Sequence, residues 1–353
     1  MLPFLKWLLY IRNVKIIFIC TFALLVSAFG LRFSTDAILV TEKQKGVCWV
    51  GGREVVTDKE IAVLVKCNVN WISQTPFAFQ RDANTSALIT NFSSDRVWWG
   101  ESDLGISKTT ELAKKSGIKT LLKPHIWVGK GWPGDIEMKS DSAWQTWFIN
   151  YEKFIVHYAE LAEKNKIEIF CLGTELHKTI HKEKEWRSVI AKVKSVYKGK
   201  LTYAANFHEE YEQIKFWDAL DYIGVQAYFS LTQNESHSLE ELQKGWDQPI
   251  AGIERIQKKY NKPVLFTEIG YRSDKKAGIE PWTWPEENST TLISDEAQAN
   301  CYRAFFKTAW NKSWLEGVYF WKWYPHGPRR MAEIDFTPQG KPAEKVMAEN
   351  FKR

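Results

Sequence analysis

The chain has 353 residues, with 48 Lys and Arg against 42 Asp and Glu and a formal net charge of +6. No long block of like charges occurs, so the electrostatic footprint of a nucleic-acid binder is missing. The length suits one large α/β barrel or two average domains. Its 18 tryptophans serve either as an indole-rich core or as flat faces for stacking on pyranose rings.

The N-terminus carries Lys6, Arg12 and Lys15 ahead of an uncharged apolar run at 16–31, with Val26-Ser27-Ala28 as a small-residue cleavage site. This pattern predicts a signal peptide or membrane anchor over 1–31, and an exported protein whether or not the leader is removed. Without the leader the charge is nearly balanced. Four cysteines remain beyond it (Cys48, Cys67, Cys171 and Cys301), widely spaced and without a C-x-x-C pair, so buried thiols are expected rather than a disulfide framework.

Beyond the leader, short apolar runs alternate with helical patterns. The predicted strands are GVCWV (46–50), VNWIS (69–73), IKTLLKP (118–124), IEIFCLG (167–173), LTYAAN (201–206), YIGVQAY (222–228), PVLFTE (263–268) and GVYFWKW (317–323). They are near-continuous apolar segments rich in β-branched and aromatic residues, as parallel strands covered on both faces should be. Helices are predicted over 58–66, 108–115, 142–165, 184–198, 239–259, 295–310 and 342–351, with only a short helix between 206 and 221. Eight strands alternating with helices predict a single (β/α)8 TIM barrel over 40–353. The segments 74–106, 124–141, 228–238 and 269–294 read as long loops on the face where the strands end.

In such a barrel, chemistry belongs at the C-terminal ends of the strands. Those ends carry Trp49, Ser73, His125, Glu175, Asn206, Tyr228, Glu268, Trp321 and Trp323. Two are carboxylates, and a carboxylate ending an apolar strand needs a partner or a use. Facing carboxylates suit glycoside hydrolysis, in which one donates a proton and the other attacks the anomeric carbon; the bland alternative is that each pairs with a basic neighbour. His177 and His181 lie four apart, but Lys178 stands where a zinc-protease motif has glutamate, and no third ligand follows at a suitable spacing. No G-x-S-x-G elbow is present either. No metal or cofactor is expected.

The strings LKPHIW (122–127), CLGTEL (171–176), EWRSVI (185–190), LTYAANF (201–207), FWDALDYIGVQAYF (216–229), FTEIGYRS (266–273), PWTW (281–284) and GVYFWKW (317–323) together resemble glycoside hydrolase family 113. The resemblance covers nearly everything after the leader. It implies a retaining (β/α)8 glycosidase acting on β-1,4-mannan, with Glu175 as general acid/base and Glu268 as nucleophile. It also implies that Tyr228 orients the nucleophile and that Trp321 lies under the sugar at the cleavage point. Thr174 stands where many clan relatives have asparagine, which leaves Asn206 or His125 as candidates for the sugar 2-hydroxyl. Trp49, Trp127, Trp282 and Trp323 complete the expected substrate-binding set, with Trp98, Trp99, Trp132 and Trp284 as further loop indoles. Tyr228 and Arg272 are expected to hydrogen-bond Glu268. The substrate expected is β-mannan or its oligosaccharides, and the chain is expected to act as a monomer, with membrane attachment only through its leader. The same chemistry on glucan or xylan, or a non-catalytic carbohydrate-binding barrel, are the alternatives.

Overall fold

The computed structural model describes residues 42–93, 95–283, 292–328 and 332–352. The leader and Trp284 lie outside the described residues. The strands are β1 (Gln44–Trp49), β2 (Trp71–Gln74), β3 (Phe77–Gln80), β4 (Lys119–Leu122), β5 (His125–Val128), β6 (Ile169–Thr174), β7 (Lys200–Asn206), β8 (Ile223–Gln226), β9 (Val264–Ile269) and β10 (Leu315–Trp323). Eight of them close a parallel barrel in the order β1-β10-β9-β8-β7-β6-β4-β2. This is the (β/α)8 architecture that the alternating pattern predicts.

The barrel interior is filled by side chains of the strands, among them Cys48, Trp71, Leu121, Cys171, Leu265 and Tyr319. A larger outer layer packs the other strand faces against the helices, with Trp147, Trp186, Trp217 and Trp246 fully buried. All four cysteines are buried free thiols. Among the described residues most of the tryptophans therefore serve the core, and only a few reach solvent.

Helix ends follow local chemistry. Thr57 and Glu60 form a reciprocal capping box for Asp58–Lys66. Ser102 caps Asp103–Lys115 by accepting from the Gly105 amide, so that helix begins five residues before its predicted start. The helix predicted over 239–259 is two, Leu239–Lys244 and Asp247–Tyr260. The break sits at Gly245, where a Cβ would lie 2.1 Å from the Leu231 carbonyl oxygen. Close approach of the two backbones, not helix propensity, sets that boundary.

One feature of the fold was not anticipated by the pattern. β3 and β5 form a separate two-stranded parallel sheet just beyond the ends of β2 and β4. Each is four residues long and begins directly after a proline (Pro76, Pro124). Their alternation sends Ala78, Gln80, Ile126 and Val128 inward, while Phe77, Phe79, His125 and Trp127 stand on the other face. No helix among the described residues is long and apolar enough to cross a membrane.

Candidate active site

A cleft of about 700 Å³ opens at the C-terminal ends of the barrel strands. Its wall includes His125, Trp127, Trp132, Glu175, Asn206, Tyr228, Glu268, Trp282 and Trp321. Eight of the ten site residues expected from the sequence are therefore brought together. Trp49 and Trp323 are not among them.

Those two tryptophans are 1% exposed and belong to the outer core. Trp49 shares the parity of Val47, which faces the helices. For Trp323 the cause is a register shift. Val47 pairs with Phe320 and Trp49 with Trp323, so β10 carries one residue more than β1 over that interval. The extra residue reverses the alternation, leaving Trp321 toward the cleft and returning Trp323 to the core. Of the loop indoles, Trp132 lines the cleft, whereas Trp98 lies 5.6 Å from the Arg53 guanidinium and Trp99 packs against the core.

Glu175 directly follows β6 in a left-handed conformation, φ 53°, which an L-residue adopts at a cost of roughly 1 kcal/mol. Three hydrogen bonds hold it there. Its amide donates to the Ala204 carbonyl at 2.9 Å, and the next amide, of Leu176, donates to the Tyr203 hydroxyl at 3.0 Å. Asn206 Nδ2 donates to Glu175 Oε1 at 2.8 Å. Behind them Tyr203 also donates to the buried Glu210 at 2.6 Å, and Glu210 accepts from the Asn206 amide at 2.6 Å. Trp132 Nε1 approaches Glu175 Oε2 at 3.4 Å. Burial, and then the negative charge on Glu268, push the Glu175 carboxyl up to about 7.

Glu268, near the end of β9, is gripped differently. The Tyr228 hydroxyl donates to Oε2 at 2.7 Å, and the Lys123 ammonium donates to Oε1. Lys123 is completely buried. His125 Nε2 lies 3.8 Å from the same oxygen with no hydrogen-bond partner among the described residues. Burial, with the Lys123 charge nearby, holds the imidazole well below the usual histidine range and therefore neutral. Arg272, expected beside Tyr228 on this carboxylate, instead pairs with Asp274 at 2.8 Å. Lys123 occupies the place assigned to it. The sequence carried a signal for Lys123, because a lysine closing the apolar run TLLK raises the same question as a glutamate closing one.

Trp321 and the His125 ring are stacked with centroids 6.5 Å apart, and Lys123 Nζ lies 5.9 Å from the indole. At the rim, Trp127 is 62% and Trp282 44% exposed, and Trp282 packs on Phe207 at 4.7 Å. The two histidines of the possible metal motif part company. His177 reaches the cleft wall, while His181 packs edge-on against Trp144 and donates from Nδ1 to the Lys178 carbonyl. Phe77, Phe207, His208, Gln226 and Phe336 also line the cleft; Phe77 opens β3 and Gln226 ends β8, while the place of the other three depends on loop paths that no local motif marks.

The arrangement offers a proton on one carboxyl and a lone pair on another, at the floor of a cleft rimmed by exposed indoles. Comparison with known proteins agrees with this chemistry. The family model Glycoside Hydrolase Family 113 matches residues 52–340. A solved GH113 β-1,4-mannanase is 25% identical, covering 88% of this chain and 99% of that one with a TM-score of 0.75. The GH113 β-mannanase of Alicyclobacillus acidocaldarius, solved in complex with ManMIm, is 27% identical over 88% of this chain and 97% of its own, also at 0.75. A β-glucuronidase of Faecalibacterium prausnitzii, 13% identical with a TM-score of 0.59, covers 88% of this chain and 49% of its own and shares the fold alone. No curated protein sequence matches the chain. Since the family model spans most of its length, the chain belongs to glycoside hydrolase family 113.

Proposed function

We propose that this glycoside hydrolase cleaves β-1,4-mannosidic bonds within mannan or manno-oligosaccharides by double displacement. Glu268 is the nucleophile and Glu175 the general acid/base. The observation that carries the reading is the difference between the two carboxyls. Glu175 is raised to about 7 and so holds a proton near neutrality, while Glu268 is ion-paired to a buried lysine and bonded by Tyr228.

In the first step a Glu268 oxygen bonds to the anomeric carbon as the glycosidic bond breaks. The departing oxygen takes the Glu175 proton. Water then gives a proton to Glu175, its oxygen bonds to the anomeric carbon, and the Glu268 carboxylate is released. Asn206, already bound to Glu175, positions the acid. The unpartnered Nε2 of His125 is the better candidate for a sugar hydroxyl beside the reacting carbon. Mannan is favoured because the similar solved structures of this family are β-1,4-mannanases. The apolar, basic-flanked leader supports export.

The test is turnover of mannan, glucomannan, cellulose and xylan oligosaccharides, following product length and, by proton NMR, the first-formed anomer. Manno-oligosaccharides of several lengths, released first as the β-anomer, are expected. Turnover of glucan or xylan alone would keep the mechanism and replace the substrate; an initial α-anomer would end the double-displacement reading.

The pH profile follows from the same geometry. Glu175 is raised, so it is protonated below about 7 and loses its proton above. The free-enzyme profile, read as kcat/KM on an oligosaccharide, should therefore fall as pH rises through about 7. A profile flat from about pH 6 to pH 9 would show that no such acid is needed.

A further inference from the structure

We propose that Lys123 is the fixed cation that obliges the site to keep one carboxylate ionised, and so transfers the negative charge from Glu268 to Glu175 when the glycosyl-enzyme forms. This rests on the double-displacement reading above. Lys123 has no exposed surface, and its ammonium is bonded to Glu268 Oε1. A buried ammonium without a counter-ion is strongly disfavoured.

The groups around the lysine leave few choices. Cys48 faces it from β1, Cys171 from β6 and His125 from β5, while Tyr228, just past β8, holds the other oxygen of Glu268. Burial pushes both thiols up, Cys171 to about 11, so neither is an anion near neutrality. Burial likewise raises the Tyr228 phenol and keeps His125 neutral. Around Glu175 the other titratable groups among the described residues are Glu210, raised by burial to about 8 and therefore protonated, the Tyr203 phenol, which burial also raises, and His177 and His208 on the cleft wall, of which burial lowers His177. At the cleft floor the working charges reduce to one cation and two carboxyls.

In the resting site Glu268 is the anion and Glu175 carries the proton. When Glu268 becomes an ester, that proton has left with the departing oxygen and Glu175 is the anion. Lys123, its first counter-ion gone, now favours the ionised form of Glu175 and keeps it from taking a proton back from solvent. That ionised form is the base the second step needs. Two effects therefore lower Glu175 in the intermediate, the loss of the Glu268 charge and the unopposed Lys123 charge.

The experiment isolates the second step. Enzyme trapped with 2-deoxy-2-fluoro-β-mannosyl fluoride is freed of reagent, and its reactivation rate is followed against pH for the parent, Lys123→Met, Lys123→Gln and Lys123→Arg. In the parent and the arginine variant, reactivation should persist to well below pH 7. In the two neutral variants its acid limb should move up by at least about one pH unit, so that reactivation on the acid side of both limbs slows about tenfold or more and recovers in alkali. Azide, which needs no base, should reactivate all of them without that limb. An unmoved limb in the neutral variants overturns the proposal alone. A parent that takes up no label on Glu268 overturns the double-displacement reading with it. Should the neutral variants fail to fold, NMR of the trapped parent decides. A Lys123 that is still an ammonium, with Glu175 titrating well below its resting value of about 7, supports the transfer; a Lys123 that has become a neutral amine, or a Glu175 still near 7, overturns it.

Discussion

Glu268→Gln is expected to lower kcat/KM on mannan by roughly 10⁴- to 10⁶-fold, the scale seen when an enzyme loses its nucleophile. Glutamine keeps the shape of the side chain, and its single oxygen can still accept from Lys123, but its amide nitrogen cannot accept from Tyr228, and the side chain can neither form the ester nor offset the ammonium. The same substitution should therefore carry a second, independent signature. Lys123 has no exposed surface and the Glu268 side chain is only 6% exposed. Removing one partner of such a buried pair costs about 3–5 kcal/mol. Denaturant unfolding of the variant should show a loss of that order. Turnover within tenfold of the parent would exclude Glu268 as nucleophile, and unchanged stability would mean that the lysine finds compensation elsewhere.

Glu175→Gln should behave quite differently, because the need for its proton depends on the leaving group. On mannan, where a sugar hydroxyl departs, kcat/KM should fall by about 10²–10⁴-fold, the usual contribution of a general acid. On a 2,4-dinitrophenyl β-mannoside, whose leaving group needs no proton, kcat/KM should stay within about tenfold of the parent. The second step still lacks its base, so kcat on that substrate should drop and azide should restore it with formation of β-mannosyl azide. Equal losses on both substrates, with no azide effect, would remove Glu175 from proton transfer. The variant also bears on stability. A carboxyl raised on folding stabilises the fold most when protonated, and that contribution is lost as pH rises through about 7. Glutamine has no such transition, so the parent should lose stability relative to the variant between about pH 5 and pH 8.

These contrasts rest on features of very different legibility. The eight barrel strands were readable because a strand covered on both faces must be apolar along its whole length. β3 and β5 were not, since four residues after a proline are too few for a period to emerge from loop composition. His125 was correctly placed beyond the third barrel strand, yet it belongs to this extra sheet, which turns Trp127 outward as well. Trp49 and Trp323 end their strands as the pattern requires, but one additional residue in β10 decides which of its indoles meets the cleft. The partnership of Tyr203, Glu210 and Asn206 behind Glu175 has no motif at all.

By itself the sequence determined the architecture, the family resemblance and the two carboxyls that close apolar strands, because each follows from local composition and order along the chain. Only the tertiary structure decided which groups face one another and which of them carries a proton. Lys123 and Glu268 are 145 positions apart and meet only once the barrel closes. Protonation depends on distance to other charges and on exclusion of water, and both are properties of the assembled cleft rather than of any residue in it.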